Sequence, residues 1–185
     1  MKGKLVIISG PSGAGKDTLL AQFLKQHSNW VQPASTTTRH PRSHHVDGKT
    51  MNFISLDQFN MLKKDGAFLE SVEVYDGIWY GTLREPVEAA LKAGKNVILR
   101  VDVRGAMRIK QQLPEAKLVF ITTGDWASLE ERIRSRGTED EQAIQRRLDR
   151  AKRELEYQDK YDRVVINRFG KIDEAVADLA VAIET

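Results

Sequence analysis

Continuous apolar runs at residues 4–9 (KLVIIS), 97–103 (VILRVDV), 117–122 (KLVFIT) and 163–167 (RVVIN) have the length and β-branched content of buried strands. Apolar residues recur at helical spacing over 104–112, 126–134 and the longer stretch 139–159. Near the C-terminus, Ile172, Ala175, Val176, Leu179, Ala182 and Ile183 form one stripe of a terminal helix. Strands alternating with helices predict a parallel sheet wrapped on both faces, a three-layer α/β/α core. Residues 35–81 break the rhythm. They are polar and turn-rich through His40-Pro41-Arg42 to Asp47-Gly48, then strand-like at 51–55 and 68–70 around a helix at 56–64. The pattern predicts a small β-rich insertion over 35–81, hinged on a core made of residues 1–34 and 82–185.

The first apolar run leads into Gly10-Pro11-Ser12-Gly13-Ala14-Gly15-Lys16-Asp17-Thr18, and an apolar stretch over 19–24 follows. Strand, glycine-rich turn and helix are the context a phosphate-binding loop needs. Glycines let backbone N–H groups curl around an anion where side chains would clash. The helix start adds unpaired N–H groups and partial positive charge, and Lys16 reaches the terminal phosphates. Asp17 stands where this pattern has a Ser or Thr that touches Mg²⁺, with Thr18 next. A glycine turn that binds nothing is the competing reading. Strand, spacing, lysine and helix together favour a loop for a nucleoside triphosphate.

Phosphoryl transfer also needs charge neutralisation at the moving group and a positioned acceptor. Arg132 and Arg136 are four apart and share a helical face, Gly137 supplies a joint, and Arg147 follows. These features predict a lid over about 132–147 that closes on the reacting phosphates. The competing reading is a solvated helix whose arginines pair with neighbouring glutamates. In Ser35-Thr36-Thr37-Thr38-Arg39-His40-Pro41-Arg42, two arginines three apart can clamp a dianionic phosphate with forked donors. Tyr80 is either a third phosphate donor or a core aromatic.

Composition narrows the partners. A length of 185 residues suits one domain, and the absence of cysteine excludes disulfides and thiolate chemistry and fits a reducing, cytoplasmic setting. The net charge of +3 comes from dispersed basic residues rather than a tract, which suits phosphorylated small molecules and not nucleic acid. No run reaches membrane-spanning length, and the N-terminus lacks the form of a signal peptide. His44-His45 lacks the spacing of a metal site, and Trp30, Trp79 and Trp126 read as packing residues. Glu139-Asp140-Glu141 favours a helix start.

Taken together, Gly10 to Lys16, the Ser35 to Arg42 segment, Phe68-Leu69-Glu70, Trp79-Tyr80-Gly81 and Arg136-Gly137-Thr138-Glu139 resemble the guanylate kinase family, in order and across nearly the whole chain. The resemblance implies a P-loop NTPase core, a GMP-binding insertion and a helical lid. It implies transfer of the γ-phosphoryl group of ATP to GMP with Mg²⁺, in a monomer or homodimer. By that resemblance Arg39, Arg42 and Tyr80 hold the GMP phosphate, while Ser35 and Glu70 read guanine. Lys16, Arg132, Arg136 and Arg147 neutralise the transferring group. Gly10, Ser12, Gly13, Ala14, Gly15, Lys16, Asp17 and Thr18 bind ATP, with Asn167 near the donor adenosine. A carboxylate suits guanine because its N1–H and exocyclic amine are adjacent donors, where adenine presents an acceptor.

Three positions depart from the family pattern. Met51 replaces a phosphate-binding Tyr, a loss worth about 1.5–3 kcal/mol. Arg100 stands where a carboxylate helps bind the base, and Asp17 takes the hydroxyl position. A carboxylate alone against triphosphate is repulsive, so Asp17 and Arg100 are expected to pair, leaving Asp102, with Asp17, as the candidate carboxylates near Mg²⁺. Met51 and Arg100 keep open a related kinase acting on another small phosphate, such as ribose 1,5-bisphosphate. A non-catalytic binding module of the same fold is the remaining alternative, and the intact glycine loop argues against it.

Overall fold

The computed structural model describes residues 3–41, 50–75, 77–135 and 140–184. The chain divides into two compact units. One comprises Met1–Leu5, Asn29–Leu99 and Met107–Ala116; the other comprises Val6–Ser28, Arg100–Ala106 and Lys117–Thr185. Strands β1 (Leu5–Ser9), β2 (Trp30–Val31), β7 (Asn96–Arg100), β8 (Lys117–Thr122) and β9 (Arg163–Ile166) form a sheet in the order β2-β7-β1-β8-β9. The pairs β1–β8, β2–β7 and β8–β9 are parallel. β3 (Ser35–Thr37), β4 (Met51–Phe53), β5 (Phe68–Tyr75) and β6 (Ile78–Leu83) form a second sheet in the order β4-β3-β6-β5.

In the second unit, Ile7, Ile8, Leu118, Val119, Phe120 and Ile121 are wholly buried, as the apolar runs predict. Burial on both faces follows from parallel strands whose crossovers place helices above and below. α1 (Lys16–Gln26) buries Leu19, Leu20 and Phe23, and α7 (Ile172–Glu184) buries Ala175, Val176, Leu179, Ala182 and Ile183. α5 (Trp126–Arg134) and α6 (Glu141–Leu155) join through a cluster of Leu129, Ile133, Leu148 and Ala151. Each such aliphatic side chain contributes roughly 1.5–3 kcal/mol on burial. α6 begins at Glu141 because the Asp140 carboxylate accepts from the Ala143 N–H at 2.7 Å, an N-cap inside the acidic cluster. The predicted strand over 97–103 stops at Arg100: the Asp102 carboxylate accepts from Gly105 N–H at 2.8 Å, and α4 (Val103–Gln112) starts there.

The first unit holds the four-stranded sheet, with α2 (Leu56–Lys64) and α3 (Arg84–Lys92). α2 opens on a capping box in which Ser55 and Gln58 satisfy each other's backbone N–H. Its buried Phe59 stacks on Phe68, with ring centroids 4.5 Å apart, and lies 5.8 Å from the Trp79 ring. β2, β3, α3 and β6 have no counterpart in the sequence expectation, and β5 runs on beyond the expected 68–70. β2 is only two residues long, and α3 buries just Val87 and Leu91, too few apolar positions to mark a stripe. β6 runs Ile-Trp-Tyr-Gly-Thr-Leu with no apolar–polar alternation, and is defined by its antiparallel partners. Among the described residues, no helix is long and apolar enough to cross a membrane.

Candidate active site

Two groups of predicted residues gather, one in each unit. In the second unit the glycine loop leaves β1 and enters α1. Gly10 has φ 137°, and a Cβ there would meet the Ile121 carbonyl oxygen at 2.0 Å. Gly15 has φ 78°, and a Cβ there would sit 2.5 Å from Asn167 Nδ2. Glycine is thus required by conformation and by room. Gly15 caps α1 in the left-handed region with no side-chain cap. The first intrahelical bond among these residues is Leu19 N–H to Gly15 O, so the N–H groups of Lys16, Asp17 and Thr18 have no helical acceptor, the arrangement suited to an anion.

Lys16 Nζ donates to the carbonyls of Gly10 at 2.6 Å and Pro11 at 2.9 Å. Loss of water around this ammonium lowers its pKa to about 8, while the nearby Glu154 charge acts in the opposite sense. Asn167 ties the last strand to the loop: its N–H donates to Thr122 O at 2.7 Å and Nδ2 to Ala14 O at 2.9 Å. Arg132 Nη2 donates to Asn167 O at 2.8 Å, and burial pushes the Arg132 guanidinium pKa down. Arg147 is buried and donates through Nη2 to Ser12 Oγ at 3.0 Å. The pairing of arginines with neighbouring glutamates falls instead to Arg134, 2.9 Å from both Glu130 and Glu141. Arg136 lies outside the described residues.

The expected ion pair between Asp17 and Arg100 is present, with Asp17 Oδ1 2.9 Å from Arg100 Nε. Its angle is poor for a hydrogen bond, so the contact is chiefly Coulombic. The Asp17 side chain remains 75% exposed. Asp102 is more enclosed: Oδ2 lies 3.1 Å from Arg104 Nη2 and 3.6 Å from Arg150 Nη2.

In the first unit, register assembles the other group. Ser35 stands opposite Thr82 across β3 and β6, and Glu70 stands opposite the same Thr82 across β5 and β6. Met51 faces Ser35 from β4. Directly opposed residues share a face, so Met51, Ser35, Thr82 and Glu70 form one row. Thr82 Oγ1 donates to Glu70 Oε1 at 2.9 Å, and both side chains are buried. Tyr80 lies two residues from Thr82 and returns to the same face beside Thr37. Thr37 Oγ1 donates to Trp79 O at 2.8 Å and accepts from Arg39 N–H at 3.2 Å, setting the backbone of the Arg39 segment. Arg42 and His44-His45 lie outside the described residues.

A family model described as guanylate kinase matches residues 2–185. This chain belongs to the guanylate kinase family. It is 41% identical over 182 residues to the guanylate kinase of Fusobacterium nucleatum, covering 98% of this chain and 96% of that protein. The guanylate kinase of Mycobacterium leprae is 42% identical over 179 residues, covering 96% of this chain and 84% of the relative. The crystal structure of guanylate kinase from Anaplasma phagocytophilum superposes with a TM-score of 0.80 at 24% identity, covering 99% of this chain and 85% of that one. That likeness supports the fold alone.

In this guanylate kinase family member, three residues outside the sequence expectation touch the predicted site. Thr82 holds Glu70, Glu154 Oε2 accepts from Ser12 N–H at 3.0 Å, and Arg150 Nε donates to Glu154 Oε1 at 2.7 Å. Thr82 carries no local signal, since only strand register makes it a neighbour of Glu70. The α6 residues do carry one: Arg147, Arg150 and Glu154 fall at helical spacing on one face.

Proposed function

We propose that the chain is an ATP:GMP phosphotransferase that moves the γ-phosphoryl group of ATP to GMP, giving ADP and GDP. The observation carrying the acceptor assignment is the buried Glu70 carboxylate in one row with Ser35 and Thr82. A carboxylate has about four acceptor positions, so Glu70, while accepting from Thr82, can also accept from the N1–H and amine of guanine, and an adenine there would leave it mismatched. Residues 35–81 form the acceptor-binding part, with Arg39, Arg42 and Tyr80 on the GMP phosphate. The rest is a core bearing a lid at about 132–147.

The donor triphosphate lies on Gly10, Ser12, Gly13, Ala14, Gly15, Lys16, Asp17 and Thr18, with Asn167 near the adenosine. The acceptor phosphate oxygen is already ionised and attacks the γ-phosphorus as the bond to the β–γ bridging oxygen breaks and ADP leaves with its electrons. No strong protein base is needed. Lys16, Arg132, Arg136 and Arg147 act by neutralising the charge that shifts onto the bridging and equatorial oxygens.

The donor set near the loop fits Mg²⁺. Asp17 and Asp102 supply hard oxygens, and no group of three or more His, Cys, Asp or Glu among the described residues could hold a metal alone. That suits an ion retained by one or two carboxylates, water and phosphate. Held by Asp17, Asp102 or both, Mg²⁺ would supply charge neutralisation to the donor polyphosphate. Asp17 is the more exposed of the two carboxylates, and Arg100 offsets its charge. A cytoplasmic setting accords with the cysteine-free sequence, and small phosphorylated partners accord with the dispersed basic charge.

Assay of ATP with GMP, dGMP, AMP, UMP and ribose 1,5-bisphosphate tests the assignment. GMP is expected to give the highest kcat/KM, and no preference for GMP would defeat it.

A further inference from the structure

Ser12 is gripped twice by one helix. Its backbone N–H donates to Glu154 Oε2 at 3.0 Å, and its Oγ accepts from Arg147 Nη2 at 3.0 Å. Arg147 and Glu154 are two turns apart on α6, so they present to the same side. Between them Arg150 Nε donates to Glu154 Oε1 at 2.7 Å and Nη2 reaches Asp102 Oδ2 at 3.6 Å. Glu154 is only 6% exposed. A buried carboxylate is costly unless its partners compensate, and here they are a guanidinium and one backbone N–H of the phosphate loop. The turn around Ser12 also carries the Ala14 N–H to Pro11 O bond at 3.2 Å, and the Lys16 ammonium ties the Gly10 and Pro11 carbonyls beside it.

We infer that Glu154 is a positioning residue: by holding the Ser12 N–H it fixes the Ser12 hydroxyl, and through that hydroxyl it aims Arg147 at the transferring phosphoryl group. This rests on the reading of Arg147 given above. A carboxylate on an N–H is a charge-assisted bond, short and directional, so the Ser12 backbone cannot drift without uncovering a buried charge. The Arg147 side chain spans from helix to loop and meets the loop at the Ser12 hydroxyl, on the residue whose backbone Glu154 holds. A residue with a purely structural task would influence kcat no differently whether or not Arg147 were present.

The test uses the full chain with Glu154→Gln, Glu154→Ala, Arg147→Ala and the double variants, assayed with ATP and GMP. Glu154→Ala is expected to lower kcat about 10- to 100-fold with KM for GMP unchanged. Glu154→Gln, which keeps an acceptor oxygen, should recover part of that loss. With Arg147→Ala already present, either Glu154 change should cost no more than about twofold, because the residue it positions is gone. Losses that multiply in the double variants overturn the inference, as does a folded Glu154→Ala with parental kcat. If Glu154→Ala does not fold, the same cycle is run with the near-isosteric Glu154→Gln. An independent readout is the Ser12 amide proton by NMR in the nucleotide-free protein. It should move upfield in Glu154→Gln and hold nearly still in Arg147→Ala; no movement in Glu154→Gln overturns the inference whatever the rates. A parental kcat in Arg147→Ala alone would instead sink the role assigned to Arg147, leaving the amide shift to decide whether Glu154 holds the loop.

Discussion

The glycine loop and the Glu70 row are built by opposite means. The loop is made from consecutive residues whose backbone N–H groups do the work, and side chains from α5, α6 and the last strand tighten it. Asn167 bonds the loop at the Ala14 carbonyl at 2.9 Å and is itself held by Arg132 at 2.8 Å, yet the turn and helix start are local in sequence. The Glu70 row contains no two neighbours in sequence: Met51, Ser35, Thr82 and Glu70 meet only because β4, β3, β6 and β5 pair in that order and register. On the proposed function, the backbone cradle would take any polyphosphate that fits, whereas the side-chain row would select a base by donor and acceptor pattern. Damage to the first should therefore abolish turnover for every acceptor, and damage to the second should change which acceptor is used.

Lys16→Ala is the severest test. Loss of the ammonium should reduce kcat by about a thousandfold with every acceptor while circular dichroism and thermal midpoint stay near parental values. Retained near-normal turnover would show that the loop is not the catalytic cradle. Glu70→Ala should act selectively, lowering kcat/KM for GMP roughly a hundredfold while the Kd for Mg·ATP, measured by calorimetry, is unchanged. An equal loss of ATP affinity would erase the distinction between the two groups.

The Lys16 pKa of about 8 gives a pH signature confined to the loop. The ammonium is the form that binds phosphate, so affinity for ATP should be full below pH 8 and fall by about tenfold per pH unit well above it. Stability moves the other way. Between about 8 and the ordinary 10.5 the unfolded chain holds a proton that the folded chain has released, so the Lys16 contribution to stability rises with pH across that window. A flat affinity profile from pH 7 to 10 would contradict it. The smallest effect belongs to Arg100→Ala, which exposes the triphosphate to the unbalanced Asp17 charge. KM for ATP should rise about three- to tenfold, with KM for GMP unaffected and partial recovery in Arg100→Ala with Asp17→Asn. An unchanged KM for ATP would make the pair incidental.

Legibility divides along the same line. The strands over 4–9 and 117–122 could be read from apolar runs because parallel strands covered on both faces need no polar alternation. The α7 stripe could be read because one helical face buries five residues. The Asp17–Arg100 pair was legible too, from the family resemblance and electrostatics together: both positions depart from the family pattern, and a carboxylate beside a triphosphate demands a counter-charge. Thr82 and Glu154 were not. Nothing local marks Thr82, and Glu154 stands 142 positions from the Ser12 N–H it holds.

What the residue order alone determined is the phosphate loop: glycines for positive φ and close approach, a lysine, and a helix start, all within nine positions whose geometry is short-range. Only the tertiary structure decided which distant groups complete it and how Glu70 is framed. Strand register and the α6 face bring side chains together by pairing and packing, and those forces act across separations that a local pattern cannot encode.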